Sequence, residues 1–227
     1  VLEQLRQENP SRQGTGLVLA DEGVLIPALQ ALPLGLEEAN VTMGMPLMST
    51  AAFAGLDAFF QLHEARELSQ GTYPYRLLQA TCIHPVCQAM YSGQANLLHV
   101  AEKLRRSKRA HWRSSAMRDM LGDGGQLWGD YQAPKAFLKD LAQALEAYIQ
   151  PLRSAWEAEP ARLCLNALHS LQTWLPDHVL SFGSLRRLFK QFAQESPVNF
   201  YGEPFDGLQM LHPWRLRQVQ KKSRQHQ

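Results

Sequence analysis

Apolar residues recur at helical spacing through most of the chain between residues 72 and 196. Residues 136–149 give the clearest stripe, and residues 163–175 and 185–192 repeat it. The stripe positions are Phe137, Leu138, Leu141, Leu145, Tyr148 and Ile149; then Leu163, Leu168, Leu171 and Leu175; then Leu185, Leu188, Phe189 and Phe192. These patterns predict amphipathic helices whose apolar faces form a core.

The two ends of the chain are patterned differently. Residues 15–20 are a short apolar run between glycine and acids, which is typical of a buried parallel strand, and residues 23–32 return to helical spacing. Residues 39–43 predict a second strand, and residues 198–201 predict an extended segment after Pro197. This order predicts an α/β fold, predominantly helical, in which a large helical insertion interrupts a parallel-sheet unit.

Capping and turn residues place further boundaries. A helix is expected after Ser49 or Thr50, either of which suits an N-cap, and Ser184 is a plausible cap for the helix over 185–192. Glycine at positions 122, 124 and 125 predicts a loop between helices. The helix after the first cap places four residues on one face: Phe53, Leu56, Phe60 and His63.

Charge is uneven although the whole chain carries 23 Lys and Arg against 21 Asp and Glu. Residues 1–100 hold 4 basic and 9 acidic side chains, whereas residues 101–120 hold 7 basic and 2 acidic ones. A second basic block lies in residues 215–227, which contain no acid. Either block can meet phosphate, or be a solvated helix face and a frayed terminus. Trp112 lies inside the first block, where an aromatic ring could stack on an unpaired base.

Size and motifs exclude several classes of protein. A chain of 227 residues needs neither disulfides nor zinc to form a core, and its apolar runs are too short to span a membrane. Three cysteines form no disulfide framework, so a reducing, cytoplasmic location is expected. Cys82, His84 and Cys87 are close in sequence but lack the spacing of structural zinc ligands; buried thiols with a capping histidine are the simpler interpretation.

Complete catalytic motifs are missing from the sequence. There is no phosphate-binding G-x-x-x-x-G-K-[ST] loop and no G-x-S-x-G elbow. Pro176-Asp177 lacks the acid-x-Lys that completes the magnesium site of restriction-type nucleases. We therefore predict no catalytic residue and no metal site in this chain.

Two segments resemble the AddB-like, UvrD-related helicase-nuclease proteins of bacterial DNA repair, which belong to the PD-(D/E)XK nuclease superfamily. The first runs from residue 17 to 33 and continues as Asn-Val-Thr-Met-Gly-Met-Pro-Leu at residues 40–47. The second is Val-Asn-Phe-Tyr-Gly-Glu-Pro-Phe-Asp-Gly-Leu-Gln-Met at residues 198–210. The sequence after residue 209 departs from the family, which continues there with a glycine and then an acid and an arginine, whereas this chain continues as Met-Leu-His-Pro-Trp-Arg at residues 210–215.

The resemblance implies that the chain is an internal part of a larger protein. Residues 1–50 and 197–214 would be parts of the second RecA-like motor domain, residues 51–196 its helical insertion, and residues 215–227 a disordered basic tail. ATP and Mg²⁺ would be bound by the parent protein rather than by this chain. The implied partners are single-stranded or tailed duplex DNA and the remaining domains of the parent or a partner subunit, with no membrane.

The resemblance and the charge pattern together give the expected site residues. Backbone contacts to DNA are expected from the first basic block and from the turn after the second strand. These residues are Lys103, Arg105, Arg106, Lys108, Arg109, Trp112, Arg113, Thr42 and Gly44. A nucleotide cleft is expected at Gly202, Glu203, Gly207 and Gln209. The alternative is a helical protein-interaction module or scaffold with no nucleic-acid role.

Overall fold

The computed structural model describes residues 16–19, 24–31, 39–41, 44–93, 95–175, 180–199 and 208–211. Within these residues the fold is predominantly helical. The chain divides into two compact units: Val1–Pro46 with Pro197–Gln227, and Leu47–Ser196. The sequence placed the corresponding boundaries after residues 50 and 196. The identity of either unit with a motor domain or its insertion stays a prediction.

The strands are short. In chain order they are β1 (Gly16–Val18), β2 (Ala39–Val41), β3 (Gly44–Pro46), β4 (Thr72–Pro74), β5 (His111–Arg113), β6 (Pro197–Asn199) and β7 (Leu208–Leu211). The α-helices are α1 (Leu25–Gln30), α2 (Ala51–Leu68), α3 (Tyr75–Ile83), α4 (Pro85–Met90), α5 (Leu97–Ser107), α6 (Ser114–Leu121), α7 (Pro134–Ile149), α8 (Ala155–Trp174) and α9 (Phe182–Glu195). Short 3₁₀ turns cover Leu47–Ser49 and Gly122–Trp128.

Two small sheets lie within the described residues of the first unit. Strands β1 and β2 both pair in parallel with β7, with Leu17 opposite Met210 and Asn40 opposite Gln209, so that β7 lies between them. Strands β3 and β6 form an antiparallel pair with Met45 opposite Val198. The parallel pairing agrees with the strand–helix–strand pattern at the start of the chain. A RecA-like sheet would require more strands than these, and that finer assignment stays a prediction.

Helix α2 lies at the centre of the second unit. Thr50, and not Ser49, is its N-cap: the Thr50 hydroxyl accepts a hydrogen bond from the Phe53 amide at 3.2 Å and donates one to the Leu47 carbonyl at 2.7 Å. The helix packs against α3, α4, α8 and α9. Its four residues predicted to share a face are all buried, as are most of their neighbours. The core of the unit is therefore built around α2.

The three predicted stripes correspond to α7, α8 and α9. Phe137, Leu141, Leu168, Leu185 and Phe189 are among their fully buried side chains, which confirms the helical interpretation of these segments. Close packing of rings joins the helices. Phe189 of α9 stacks on Phe53 and Phe60 of α2 with ring centroids 5.2 and 4.8 Å apart.

Four local expectations in the second unit and near it were wrong. Residues 122–128 form a 3₁₀ helix and not an open loop, and the N-cap of α9 is Ser181, whose hydroxyl accepts from the Ser184 amide at 3.1 Å. Strands β4 and β5 interrupt a region expected to be wholly helical, and β3 occupies residues expected to be a turn. Each strand has 3 residues, too few to show a two-residue period, so pairing with a distant strand decides its conformation.

Candidate nucleic-acid interface

Helix α5 positions the first part of the basic block. Asn96 caps it, because its side-chain oxygen accepts from the His99 amide at 3.0 Å. Leu97, Val100 and Leu104 are buried on the inner face of the helix. The charged positions between and after these residues must then point away from the core, since a helix buries only one stripe.

A tight turn follows α5 and leads into β5. Lys108 ends the helix in the left-handed conformation, with φ 56° and ψ 18°. The Ser107 hydroxyl donates to the Leu104 carbonyl at 2.8 Å, and the Arg109 amide donates to that hydroxyl at 3.4 Å. The Tyr75 amide donates to the Ala110 carbonyl at 2.8 Å, which fixes the end of the turn to α3. The turn therefore holds its two cations on a defined backbone.

Six cations are exposed on this helix end, turn and strand, and we call them the basic surface: Lys103, Arg105, Arg106, Lys108, Arg109 and Arg113. The side chains of Arg105 and Arg106 are 62% and 76% exposed. No Asp or Glu occurs from residue 103 to residue 118. A surface with this charge excess attracts polyanions and releases their counterions on binding.

Glu102 is part of the same surface, although it is not among the expected site residues. Its carboxylate accepts two hydrogen bonds from Arg105, from Nε and Nη2, both at 2.8 Å. It accepts a third from Arg106 Nε at 2.8 Å. The hydrogen bonds from Arg105 and Arg106 lower the pKa of Glu102 to about 2. The spacing Glu-x-x-Arg-Arg was the available signal, because residues three and four apart are neighbours on a helix.

Trp112, one of the expected site residues, is buried. It is the central residue of β5, opposite Tyr73 of β4, and only 9% of it is exposed. The Arg109 guanidinium lies over its ring, 5.4 Å from the centroid. The indole therefore belongs to the packing beneath the basic surface, and stacking on an unpaired base would require it to leave the core.

A second charge cluster joins α2 to α9, and we call it the α2–α9 ion cluster: Asp57, Glu64, Arg186 and Lys190. Arg186 Nε and Nη2 donate to the two oxygens of Asp57 at 2.6 and 3.0 Å, and Nη1 donates to Glu64 at 3.0 Å. Burial alone would raise the pKa of Asp57, but hydrogen bonds from Arg186 and Gln61 and the nearby positive charges hold it below its usual value. The cluster contains two carboxylates and two cations, so its charges balance.

The remaining predicted site residues lie in the first unit or beyond the described residues. Thr42, Gly202, Glu203, Gly207 and the tail 215–227 lie outside the described residues. Gly44 begins β3 and pairs with Asn199, and Gln209 lies on the central strand β7. The backbone thus places Gln209 between two parallel strands. Its predicted role at a nucleotide cleft is untested.

The two cysteines that flank His84 are buried in α3 and α4. Burial raises the pKa of both Cys82 and Cys87 to about 12, so both are neutral thiols at neutral pH. His84 is the N-cap residue of α4, although its side chain makes no capping hydrogen bond. In the part of the chain that the structure describes, no three His, Cys, Asp or Glu side chains are grouped to hold a metal ion.

Two general findings complete the description of the chain. Among the described helices, none combines the length and apolar character needed to cross a lipid bilayer. No model of a known protein family matches the sequence, no curated protein is significantly similar to it, and no solved structure matches its fold.

Proposed function

We propose that the second unit binds the sugar–phosphate backbone of DNA through the basic surface. In this proposal the chain is the DNA-binding, non-catalytic portion of an ATP-dependent helicase-nuclease that acts in bacterial double-strand-break repair and recombination. The observation that carries it is the exposure of six cations within residues 103–113, a segment that contains no acid. ATP and Mg²⁺ belong to the remainder of the parent protein.

The sequence resemblance and the order of the two units along the chain support the proposal that the chain is part of a helicase-nuclease. The first unit is assembled from both ends of the chain, and the helical second unit is inserted between them. The parallel strands β1, β7 and β2 lie in the first unit. This is the arrangement that a RecA-like motor domain with a helical insertion would have, and the proposal takes the first unit as part of such a domain.

The burial of Trp112 bears on how DNA would be bound. No Phe or Tyr occurs between residues 97 and 118, and Trp112 is buried, so the ligand contacts that this segment itself offers are mainly its cations. Contacts of this kind position a protein on phosphates and carry no base sequence. We expect binding that does not depend on base sequence and does not require unpaired bases, so the duplex part of a tailed DNA is the better ligand.

The proposal is tested by titrating a fluorescent tailed duplex with the full chain between about 50 and 200 mM salt. Each phosphate contact contributes a slope of about −0.9 in the plot of log affinity against log salt. The triple variant Arg105→Gln, Arg106→Gln, Arg109→Gln should bind at least about ten-fold more weakly at 50 mM salt and with a slope about 2–3 units shallower.

The matched control removes three exposed arginines elsewhere on the same unit: Arg153→Gln, Arg162→Gln, Arg187→Gln. Both triple variants remove three positive charges. If only net charge mattered, the two variants would therefore lose the same amount of DNA affinity. Equal losses in the two variants, or no binding of the unmodified chain at about 50 mM salt, would contradict the proposal.

A second candidate function is a helical module that binds another protein. It is favoured by two large apolar side chains on the surface of the second unit: Leu68, which is 81% exposed, and Trp174, which is 72% exposed. In that case the basic surface only keeps the unit hydrated. Failure of the DNA titration, with both triple variants still folded, would make this candidate the better one.

A further inference from the structure

The contacts of Glu102 resemble the way an arginine pair holds phosphate. The carboxylate accepts from both Nε and Nη2 of Arg105, and one of its oxygens is shared with Arg106 Nε. Guanidinium groups bind carboxylate and phosphate through the same pair of parallel N–H groups. Glu102 therefore occupies the edge of Arg105 that a phosphate would use.

The contact is made at the surface, where exchange with solvent ions is easy. The Glu102 side chain is 37% exposed, and the Arg105 and Arg106 side chains are more exposed still. A surface ion pair of this kind on a helix contributes little to stability. Replacing the carboxylate by an anion of the same charge thus gains little, since one ion pair is lost for each one formed.

The remaining cations make displacement of Glu102 favourable for a ligand that carries several adjacent phosphates. Lys103, Lys108, Arg109 and Arg113 belong to the same surface and are exposed. An isolated phosphate would contact one or two cations and would have to displace Glu102. A chain of adjacent phosphates contacts several cations at once, and the additional contacts offset the loss of the Glu102 pair.

We propose that Glu102 is an internal competitor for phosphate, which makes the basic surface select a polyphosphate backbone over isolated phosphate groups. The inference rests on the proposed function, because it concerns the same surface. Glu102 is a selectivity-determining residue in this scheme, and it weakens DNA binding in exchange for that selectivity. Its low pKa keeps the carboxylate charged at neutral pH, so the competition persists under physiological conditions.

The test compares the full chain with Glu102→Gln and with Asp119→Asn, using the tailed duplex at about 50 mM salt. Asp119 is exposed on α6 and is the second of the two acids in residues 101–120, so its substitution makes the same charge change. Glu102→Gln should tighten DNA binding about five-fold, as expected for removing a unit charge that contacts the binding arginines. Asp119→Asn should change it less than about two-fold.

A second readout follows the arginines directly. In nuclear magnetic resonance spectra, inorganic phosphate should shift the Nε–H signals of Arg105 and Arg106 at lower concentration in Glu102→Gln than in the unmodified chain. Unchanged or weaker DNA binding by Glu102→Gln, an equal gain in Asp119→Asn, or an unchanged phosphate response would each overturn the inference. The proposed function fails separately, through absence of salt-dependent binding by the unmodified chain, and the inference then falls with it.

Discussion

The α2–α9 ion cluster and the basic surface both use arginines that bind a carboxylate in a bidentate way, yet they differ in balance and in burial. In the cluster, Arg186 contacts two acids and its side chain is 22% exposed. On the basic surface, Glu102 contacts two arginines that are mostly exposed, among six cations. An arginine–carboxylate ion pair therefore lies between two helices in the cluster, whereas on the basic surface it faces solvent.

The difference teaches which charges are available to a ligand. The donors of Arg186 are used by Asp57 and Glu64, and removing them would leave these carboxylates poorly compensated. The basic surface has more donors than its one carboxylate can accept from, and none of its cations is needed to neutralise a buried group. We therefore expect the α2–α9 ion cluster to stabilise the fold, and the basic surface is the region for which we propose binding.

The largest expected effect comes from breaking the cluster. Arg186→Met should lower the free energy of unfolding by about 3 kcal/mol, because Asp57 is 8% exposed. It would keep the hydrogen bond from Gln61 at 2.8 Å, and its nearest remaining cation would be Lys190, whose Nζ lies 3.8 Å away. Urea denaturation measures the loss. Arg187→Met, on the exposed side of the same helix, is the matched control and should cost less than about 0.5 kcal/mol. If the two variants are equally stable, Arg186 is not a structural residue.

His63 lies at the same α2–α9 interface and gives it a pH dependence. Its ring stacks on Phe182 of α9 with centroids 5.0 Å apart, and its Nε2 hydrogen-bonds to the Leu127 carbonyl at 2.8 Å. Burial lowers the pKa of His63 from 6.5 to about 4. Because the unfolded chain takes up this proton first, the stability that His63 contributes is complete above pH 6.5 and is lost as the pH falls toward 4.

The expected loss is about 2 kcal/mol between about pH 7 and pH 5, measured by urea denaturation at each pH. His63→Phe keeps a ring in the aromatic cavity and should remove this slope, whatever its effect on absolute stability. His169→Gln, at an exposed position on α8, should keep it. A slope that survives in His63→Phe would mean that another group titrates. DNA binding per folded molecule should not weaken over the same range, since the basic surface keeps its charge.

Local periodicity was sufficient for the interior of the second unit. The stripe of residues 136–149 and a cap at Ser49 or Thr50 are signals that a single helix contains; the stripe is confirmed, and Thr50 is the cap of the two. Strands β4 and β5 could not be predicted in the same way, because each depends for its backbone conformation on pairing with a strand 37 to 41 residues away in the sequence. The parallel register of β7 with β1 and β2 is also a long-range property.

The candidate site was predicted in part. The pattern of apolar and charged residues predicts which side chains of α5 are exposed. When Leu97, Val100 and Leu104 are buried, the cations between and after them face solvent. The burial of Trp112 is not predicted by the sequence, because the helical signal of the basic block does not indicate a strand at residues 111–113. His-Trp-Arg is a polar–apolar–polar alternation, and the strand it forms buries its central residue. A triplet this short gives no reliable period by itself.

The smallest expected effect separates stability from binding at one residue of the basic surface. Lys108 has φ 56°, a conformation that costs a residue with a Cβ about 1 kcal/mol and costs glycine almost nothing. Lys108→Gly should raise the free energy of unfolding by about 0.5 kcal/mol, since the greater freedom of glycine in the unfolded chain offsets part of the gain. The same variant loses one cation, so its salt slope for DNA should be shallower by about 0.9.

Lys108→Asn is the matched control, because asparagine tolerates the left-handed region without loosening the unfolded chain. It should show the same shallower salt slope as Lys108→Gly and a stability at least as high as that of the unmodified chain. In the α2–α9 ion cluster, by contrast, removing a charge should lower stability and leave DNA binding unchanged. If Lys108→Gly kept the full salt dependence of DNA binding, Lys108 would make no phosphate contact. The turn would then be only a solvated helix end, and the binding surface would have five cations instead of six.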